Sequence, residues 1–407
     1  MKYVIVLSDG MADYPIEALG GRTPLEAAQT PHMDEISRLG QCGLVKTVPD
    51  SVAPGSDTAN LSVMGYDPES CYTGRSPLEA VSMGIALEPD DVAMRCNLVT
   101  LSDAPRYEDA DMVDYSSGEI TTEESTQLIR DLAEKLGTET VKLYPGISYR
   151  HCLVLKHAQT GTYGTPPHDI TGQPVAQHLP KGVYGELLLD LQKRSLALLK
   201  EHPINRARIA RGLNPASSCW FWGEGRRPSL ARFAALYGLH GAVVSAVDLI
   251  KGIGICAGFE SIDVPGATGT IDTNFDGKAE AAIDALRRGL DFVYIHLEAP
   301  DECGHHGDIE GKRRSIELID EKIVGPVHAY LKACGEAYTI MVLPDHPTPV
   351  STRTHARDPI PFAVYNSTAA MGSGLVYNEK TAAQSGLYIP DGPGLMRLFL
   401  GRPAAER

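Results

Sequence analysis

Three short apolar runs in this chain each lead into an acidic residue, and that repeated arrangement restricts the possible folds more than any other feature. Tyr3-Val4-Ile5-Val6-Leu7 runs into Ser8-Asp9-Gly10. Phe292 to Leu297 runs into Glu298-Ala299-Pro300-Asp301, and Tyr338 to Leu343 runs into Pro344-Asp345-His346. Continuous apolar runs of this length, rich in β-branched residues, are the pattern of parallel strands covered on both faces. Further candidate strands at Gly43 to Thr47, Ser218 to Trp222 and Ala242 to Val247 alternate with helical segments, which predicts an α/β sheet. In such sheets ligands collect at the carboxyl ends of strands. Asp9, Asp301 and Asp345 are therefore expected on one edge, although a strand-ending aspartate also serves as an ordinary turn cap.

The 407-residue length suggests two or three domains, and 43% hydrophobic residues suffice to fill their cores. A net charge of -15, from 37 basic against 52 acidic residues, argues against nucleic acid or an anionic membrane as the main partner. The eight cysteines form no CxxC pair and read as thiols of a reducing compartment. The first apolar run is too short for a signal-peptide core and no run reaches membrane-spanning length, so the expected location is the cytoplasm. Lys251-Gly252-Ile253-Gly254 lacks dinucleotide-site spacing and no Walker A pattern occurs, leaving nucleotide binding unsupported.

Thr30-Pro31 opens a helix that Leu39-Gly40 closes, with Thr30 as its expected cap, and Gly74-Arg75-Ser76-Pro77 opens another. From about Glu88 to Asn214 the chain becomes charged and turn-rich. This predicts a core formed by residues 1–88 and 215–407, interrupted by a smaller inserted α+β domain at 89–214. The insert holds a helix from Thr121, with Glu124 as capping-box partner and a stop at Gly137, and a second helix from about Tyr184 to Lys200. It also holds Tyr149-Arg150-His151, Pro166-Pro167-His168-Asp169, and Arg206, Arg208 and Arg211. Helical arginines are usually solvated, yet three in one short stretch also suit a carboxylate and phosphate clamp. The Pro/Ala-rich last residues are expected to fray.

Val52-Ala53-Pro54-Gly55-Ser56-Asp57-Thr58-Ala59-Asn60 presents a serine at the start of a predicted helix. Ser56 there is either a turn cap or a nucleophile beside positive helix-end amides. A nucleophilic serine needs a base or a metal ion to activate it. Candidate ligands are Asp9, Asp301 with His305 four residues on, Asp345 with His346, and His355. Three carboxylates, three imidazoles and a serine oxygen suit Mn²⁺ or Zn²⁺ better than Ca²⁺, with Co²⁺ or Mg²⁺ also admissible. Two such ions would stabilise the attacking and leaving oxygens of a displacement at phosphorus.

In this order, Leu7-Ser8-Asp9-Gly10, Ala53-Pro54-Gly55-Ser56-Asp57, Thr73-Gly74-Arg75, Ala299-Pro300-Asp301 through His305, Pro344-Asp345-His346 and Thr354-His355 resemble the motifs of cofactor-independent phosphoglycerate mutases of the alkaline phosphatase superfamily, the archaeal-type branch in particular. The resemblance spans nearly the whole chain. It implies an alkaline-phosphatase-like core sheet with helices on both faces and an inserted substrate domain. It further implies one metal on Asp301, His305 and His355, another on Asp9, Ser56, Asp345 and His346, and a transiently phosphorylated Ser56 that moves phosphate between the 3- and 2-positions of a small phosphorylated substrate while domain closure excludes water. The inserted-domain motifs do not align plainly with the longer bacterial form. There His168 or Asp169 is the candidate for proton transfer and Arg150, Arg206, Arg208 and Arg211 for anion binding, with Lys251 and Arg227 as outside candidates. The alternatives are a sister phosphomutase or phosphatase for another phosphorylated metabolite, and a non-catalytic metal-binding protein that kept the fold. The oligomeric state is left open.

Overall fold

The apolar runs form the middle of a sheet in the computed structural model, which describes residues 1–402; the tail expected to fray lies outside the described residues. In chain order the strands are β1 (Lys2–Ser8), β2 (Gln41–Val45), β3 (Val92–Leu101), β4 (Met112–Asp114), β5 (Val141–Tyr144), β6 (Arg150–Leu155), β7 (Thr162–Tyr163), β8 (Lys181–Gly182), β9 (Ser218–Gly225), β10 (Gly241–Val244), β11 (Glu260–Ile262), β12 (Phe292–Leu297), β13 (Tyr338–Leu343), β14 (Ile360–Asn366) and β15 (Tyr388–Ile389). The chain divides into two compact units, Met1–Tyr72 with Leu230–Arg407, and Thr73–Ser229.

The first unit is built on an eight-stranded sheet in the order β11-β10-β12-β1-β13-β14-β2-β15. Its left half and centre are parallel, and β14 runs antiparallel to both β13 and β2. Ser8 pairs with Leu297, and Leu7 pairs with Leu343. This register makes the three central strands end level, so the segments carrying Asp9, Asp301 and Asp345 leave the sheet side by side. Val4, Val6, Val293, Ile295, Ile340 and Val342 pack one face into a core with helices Phe275–Arg287, Ile309–Ile319 and Gly325–Ala333. On the other face Tyr3 and Phe292 meet Phe399 of helix Gly392–Phe399, which packs beside helix Ser56–Val63. Burial on both faces explains why these strands read as unbroken apolar runs.

Helix Pro31–Leu39 forms where expected, but Thr30 makes no side-chain cap. The Asp320 carboxylate accepts the N–H groups of His32 at 3.2 Å and Met33 at 2.7 Å instead. A distant acid thus satisfies the orphan donors that a local cap was expected to take.

The second unit holds a five-stranded antiparallel sheet, β4-β3-β6-β5 with β9 on β3. Helices Thr122–Leu136 and Gly185–Lys200 cover it through Leu128, Leu132, Leu188 and Leu191. Its limits differ from the expected 89–214. Ser218 to Trp222 was expected to begin the return to the core sheet, but β9 pairs with β3 from Val99–Ser218 to Ala93–Gly225. Helix Ser76–Ser82 joins the same unit, where Arg95 of β3 donates to Glu79. An apolar strand does not say which sheet it will enter, so composition alone set the boundary too narrowly. Among the described residues no helix is long and apolar enough to cross a membrane.

Candidate active site

Asp9 follows β1, Asp345 and His346 follow β13, and Asp301 and His305 occupy facing positions on helix Ala299–His306 after β12. Gly10 permits this convergence. It has φ +62°, and a Cβ there would lie 2.6 Å from Asp301 Oδ1 and 2.7 Å from its Cα. Ser56 is the first residue of helix Ser56–Val63, with Gly55 in the capping position. Its hydroxyl is therefore not the cap and reaches His346 Nε2 at 3.2 Å. The preceding turn is held by Arg357, which donates to the carbonyls of Asp50 and Val52.

Two ligand-type clusters form and share His346. Atoms of Asp9, Asp345 and His346 all lie within 4.8 Å of one another, as do atoms of Asp301, His346 and His355. His305 Nε2 is 3.2 Å from Asp301 Oδ2 and 3.0 Å from His355 Nε2. The structure thus brings together all seven residues expected at the metal centre.

Neighbours decide which imidazole nitrogens are free. His305 Nδ1 lies 3.0 Å from the Arg353 carbonyl, to which only an N–H can donate, so its Nε2 is bare when the ring is neutral. Thr348 Oγ1 donates its single proton to Asp301 Oδ1 and lies 3.2 Å from His346 Nδ1. It must accept from that nitrogen, which leaves His346 Nε2 bare beside Ser56 Oγ, Asp345 Oδ2 at 3.3 Å and Asp9 Oδ1 at 3.7 Å. Asp345 is fixed in turn: Oδ1 accepts from Gly10 N at 3.1 Å, and Oδ2 accepts from Asn60 Nδ2 at 2.9 Å. The Tyr294 hydroxyl donates to Asn60 Oδ1 at 2.6 Å.

Lone pairs and carboxylates facing one another across a few ångströms in a buried space repel unless a positive charge sits among them. Asp9 shows this strain: burial first, then Asp345, Asp301 and Glu298, push its carboxyl well above the usual range. Its Oδ1 is buried with no hydrogen-bond partner among the described residues. On the other side the Asp301 carboxylate holds His305 protonated up to about 9. Oxygen and imidazole donors with an orphaned buried oxygen fit divalent cations, and these are the residues that would hold them.

Residues 37–205 match the family described as 2,3-bisphosphoglycerate-independent phosphoglycerate mutase. A protein of that name from Methanothrix thermoacetophila is 52% identical, with 98% of this chain and 100% of the relative covered. This chain belongs to that family. A probable member from Geobacter sulfurreducens is 49% identical over 99% of this chain and 100% of its own. Among solved structures, the cofactor-independent phosphoglycerate mutase of Thermoplasma acidophilum shares 25% identity and a TM-score of 0.69, with 98% and 99% of the two chains covered. A Pyrococcus horikoshii protein gives 28% and 0.81, with 100% and 99% covered.

Family membership makes the candidates of the second unit worth separating by their partners. Arg208 is buried and spent internally: it donates to Glu124, to the Ser117 carbonyl at 2.6 Å and to the Asn214 carbonyl at 2.9 Å. Arg211 shares Glu124, and Arg206 pairs with Glu201. The three arginines expected as an anion clamp thus hold carboxylates of their own unit, Arg208 inside it and Arg206 and Arg211 at its surface. Glu124, expected as a capping-box partner, gives Thr121 its backbone N–H but its carboxylate to these arginines. Arg150 is exposed, stacks over Tyr149 with its guanidinium carbon 5.6 Å from the ring centre, and has no ion-pair partner among the described residues. His168 is half-exposed, packs edge-on to Trp222 and Tyr115, and sits 3.6 Å from Asp169. Lys251 pairs with Asp263.

Sequence reasoning missed Asn60, Tyr294, His296 and Thr348, which orient the ligands. Signals existed: Asn60 is one helical turn from Ser56, and His296 is a lone polar residue in an otherwise apolar run.

Proposed function

We propose that this enzyme, an isomerase, interconverts 3-phosphoglycerate and 2-phosphoglycerate through a phosphoserine at Ser56, with two divalent cations and without 2,3-bisphosphoglycerate. The observation that carries the reading is the Ser56 hydroxyl, 3.2 Å from a bare His346 nitrogen at the edge of two ligand clusters. Relatives named for this reaction match over nearly the whole chain, which supports the same substrate. The step serves glycolysis and gluconeogenesis. The donor set favours Mn²⁺ or Zn²⁺. The eight free cysteines suit a reducing compartment, and we place the enzyme in the cytoplasm.

Bound cations would lower the pKa of the Ser56 hydroxyl and offset charge on the transferring phosphoryl group. The chain supplies the rest. Ser56 Oγ gives up its proton and forms a bond to phosphorus as the bond to the substrate 3-oxygen breaks, and that oxygen takes up a proton. The amides and dipole at the start of helix Ser56–Val63 stabilise the phosphate on Ser56. The glycerate 2-oxygen then loses its proton and attacks phosphorus, and the Oγ–phosphorus bond breaks as Oγ takes up a proton to restore the serine. We assign the proton movements to His168 or Asp169. For anion binding we retain Arg150, because the other three arginines already hold carboxylates.

The test is an enolase-coupled assay of the full chain, stripped with EDTA and reloaded with Mn²⁺ or Zn²⁺, beside a panel of other phosphate esters. We expect turnover of 3-phosphoglycerate only after reloading and without added 2,3-bisphosphoglycerate. Metal-loaded protein that turns over another ester and not this one would overturn the substrate; inactivity on all would overturn the reaction.

A further inference from the structure

We propose that His296 is a positioning residue that divides the two oxygens of Asp9, holding Oδ2 so that Oδ1 is kept for a cation. The inference rests on the cation reading of the site and adds a residue to it.

His296 is the fifth residue of β12 and is fully buried among apolar neighbours on a strand that is otherwise Phe-Val-Tyr-Ile and Leu. A histidine in such a place needs both ring nitrogens satisfied. Nε2 lies 2.8 Å from Asp9 Oδ2, and Nδ1 lies 3.2 Å from Ser245 Oγ. The direction of this chain of bonds follows from counting protons. With Asp9 ionised, as a cation ligand must be, a hydrogen on Nδ1 of the neutral ring would leave Nε2 facing a carboxylate oxygen with a lone pair at hydrogen-bond distance, which is repulsive. The consistent arrangement has Nε2–H donating to Asp9 and Ser245 O–H donating to Nδ1. Ser245 can do so because its oxygen is itself fixed as acceptor of the Val247 N–H at 3.0 Å. Lys278, buried on the neighbouring helix, donates to the His296 carbonyl at 3.2 Å and fixes the strand end from behind.

The consequence appears on Asp9. Its backbone N–H donates to the Leu297 carbonyl at 2.8 Å, so β12 holds both its main chain and Oδ2. Oδ1 is left buried, without a partner, and 3.7 Å from the bare His346 nitrogen. A carboxylate free to rotate would turn both oxygens toward any cation or neighbour. This one is allowed to offer only one, in a fixed direction. Ligands held in this way by an outer hydrogen bond typically lose about 10- to 100-fold in metal affinity when that bond is removed.

The experiment is Mn²⁺ binding to metal-stripped full-length protein, read by electron paramagnetic resonance of the free ion, for the unaltered chain and for H296Q, H296F and S245A. Melting in EDTA reports folding separately. Gln places an amide nitrogen near the position of Nε2 and keeps the donor; Phe fills the space without one. We expect H296F to lose about 10- to 100-fold in affinity for one ion, and H296Q to restore most of it. S245A, which leaves the ring in place, should fall between them. Equal Mn²⁺ affinity in H296F and the unaltered chain would overturn the proposal, as would equal losses in H296Q and H296F. Should H296F fail to fold, nitrogen-15 resonances of the histidine ring in the unaltered chain loaded with diamagnetic Zn²⁺ decide: a proton on Nε2 is expected, and a proton on Nδ1 would overturn the assignment. An unaltered chain that binds no Mn²⁺ would overturn the cation reading itself, which is a distinct result.

Discussion

The two units draw on the same residue types and use them in opposite ways. In the first, Asp9, Asp301, Asp345, His346 and His355 converge, with the bare His346 nitrogen facing carboxylates and one carboxylate oxygen left without a partner among the described residues. In the second, Arg208 and Arg211 close on Glu124, Arg206 on Glu201, and His202 on Asp131 at 2.9 Å. Charge that is satisfied within the fold holds the fold. Charge gathered and left unsatisfied in a buried space calls for something the chain does not contain, and that contrast separates candidate site from scaffold.

The sharpest way to break the comparison is at Ser56. Ser56→Ala removes the atom that would carry phosphate, together with one expected ligand oxygen, and leaves the Asp and His groups of both clusters in place, so kcat should fall by about 10³-fold or more while the EDTA-state melting temperature stays put. Retained turnover in the coupled assay would remove Ser56 from the mechanism. The counterpart in the second unit is Arg208→Ala. It leaves Glu124 half-paired and two carbonyls without their donor, and should cost about 3–5 kcal/mol in urea unfolding. Substrate affinity lost without loss of stability would return Arg208 to the anion clamp.

Much of the first unit was legible because its acidic ligand-type residues sit where apolar runs stop, and run ends are visible in sequence. Asp9, Asp301, Asp345 and His346 could be named as candidate ligands for that reason, and the helical spacing of Asp301 and His305 is realised on helix Ala299–His306. What orients them was not legible. Thr348 matters because it can donate only one proton, and His296 matters because its strand neighbour is β1, facts of register rather than of composition. The pairing of the arginines was hidden for the same reason. Glu124 lies 84 residues from Arg208, so the sequence shows the cations without the carboxylate that occupies them. The boundary of the second unit failed at β9, whose Cys219-Trp220-Phe221 is as apolar as a core strand but bonds to β3.

His151 sharpens the comparison from inside the second unit, where a buried histidine is held neutral by its surroundings. Burial pushes its pKa down to about 3 from 6.5, and its Nδ1 accepts the Gly146 N–H at 3.0 Å. The folded-state value is depressed, so below pH 6.5 the unfolded chain binds a proton that the folded chain refuses. Stability from this group is fully present above pH 6.5 and is lost as pH falls toward 3, by about 1.4 kcal/mol per pH unit. His151→Asn keeps an acceptor for Gly146 and cannot titrate. Its stability between pH 7 and 5 should be flatter than that of the unaltered chain by about one proton's worth of slope. Parallel curves in urea titrations at the two pH values would show that His151 is protonated in the fold.

The smallest expected effects set two exposed arginines against each other. Arg150 stacks on Tyr149 and has no carboxylate partner among the described residues, whereas Arg206 lies on the surface paired with Glu201. An unpaired cation on an aromatic shelf is available to a substrate anion, so Arg150→Ala should lower kcat/KM by about 10-fold, chiefly through KM, with little change in stability. An exposed surface pair contributes little, so Arg206→Ala should leave both kcat/KM and urea midpoint almost unmoved. The informative result is the ratio of the two. If Arg206→Ala is the variant that raises KM, its pairing with Glu201 is a resting arrangement that substrate displaces, and satisfied charge in the second unit would no longer mean structural charge.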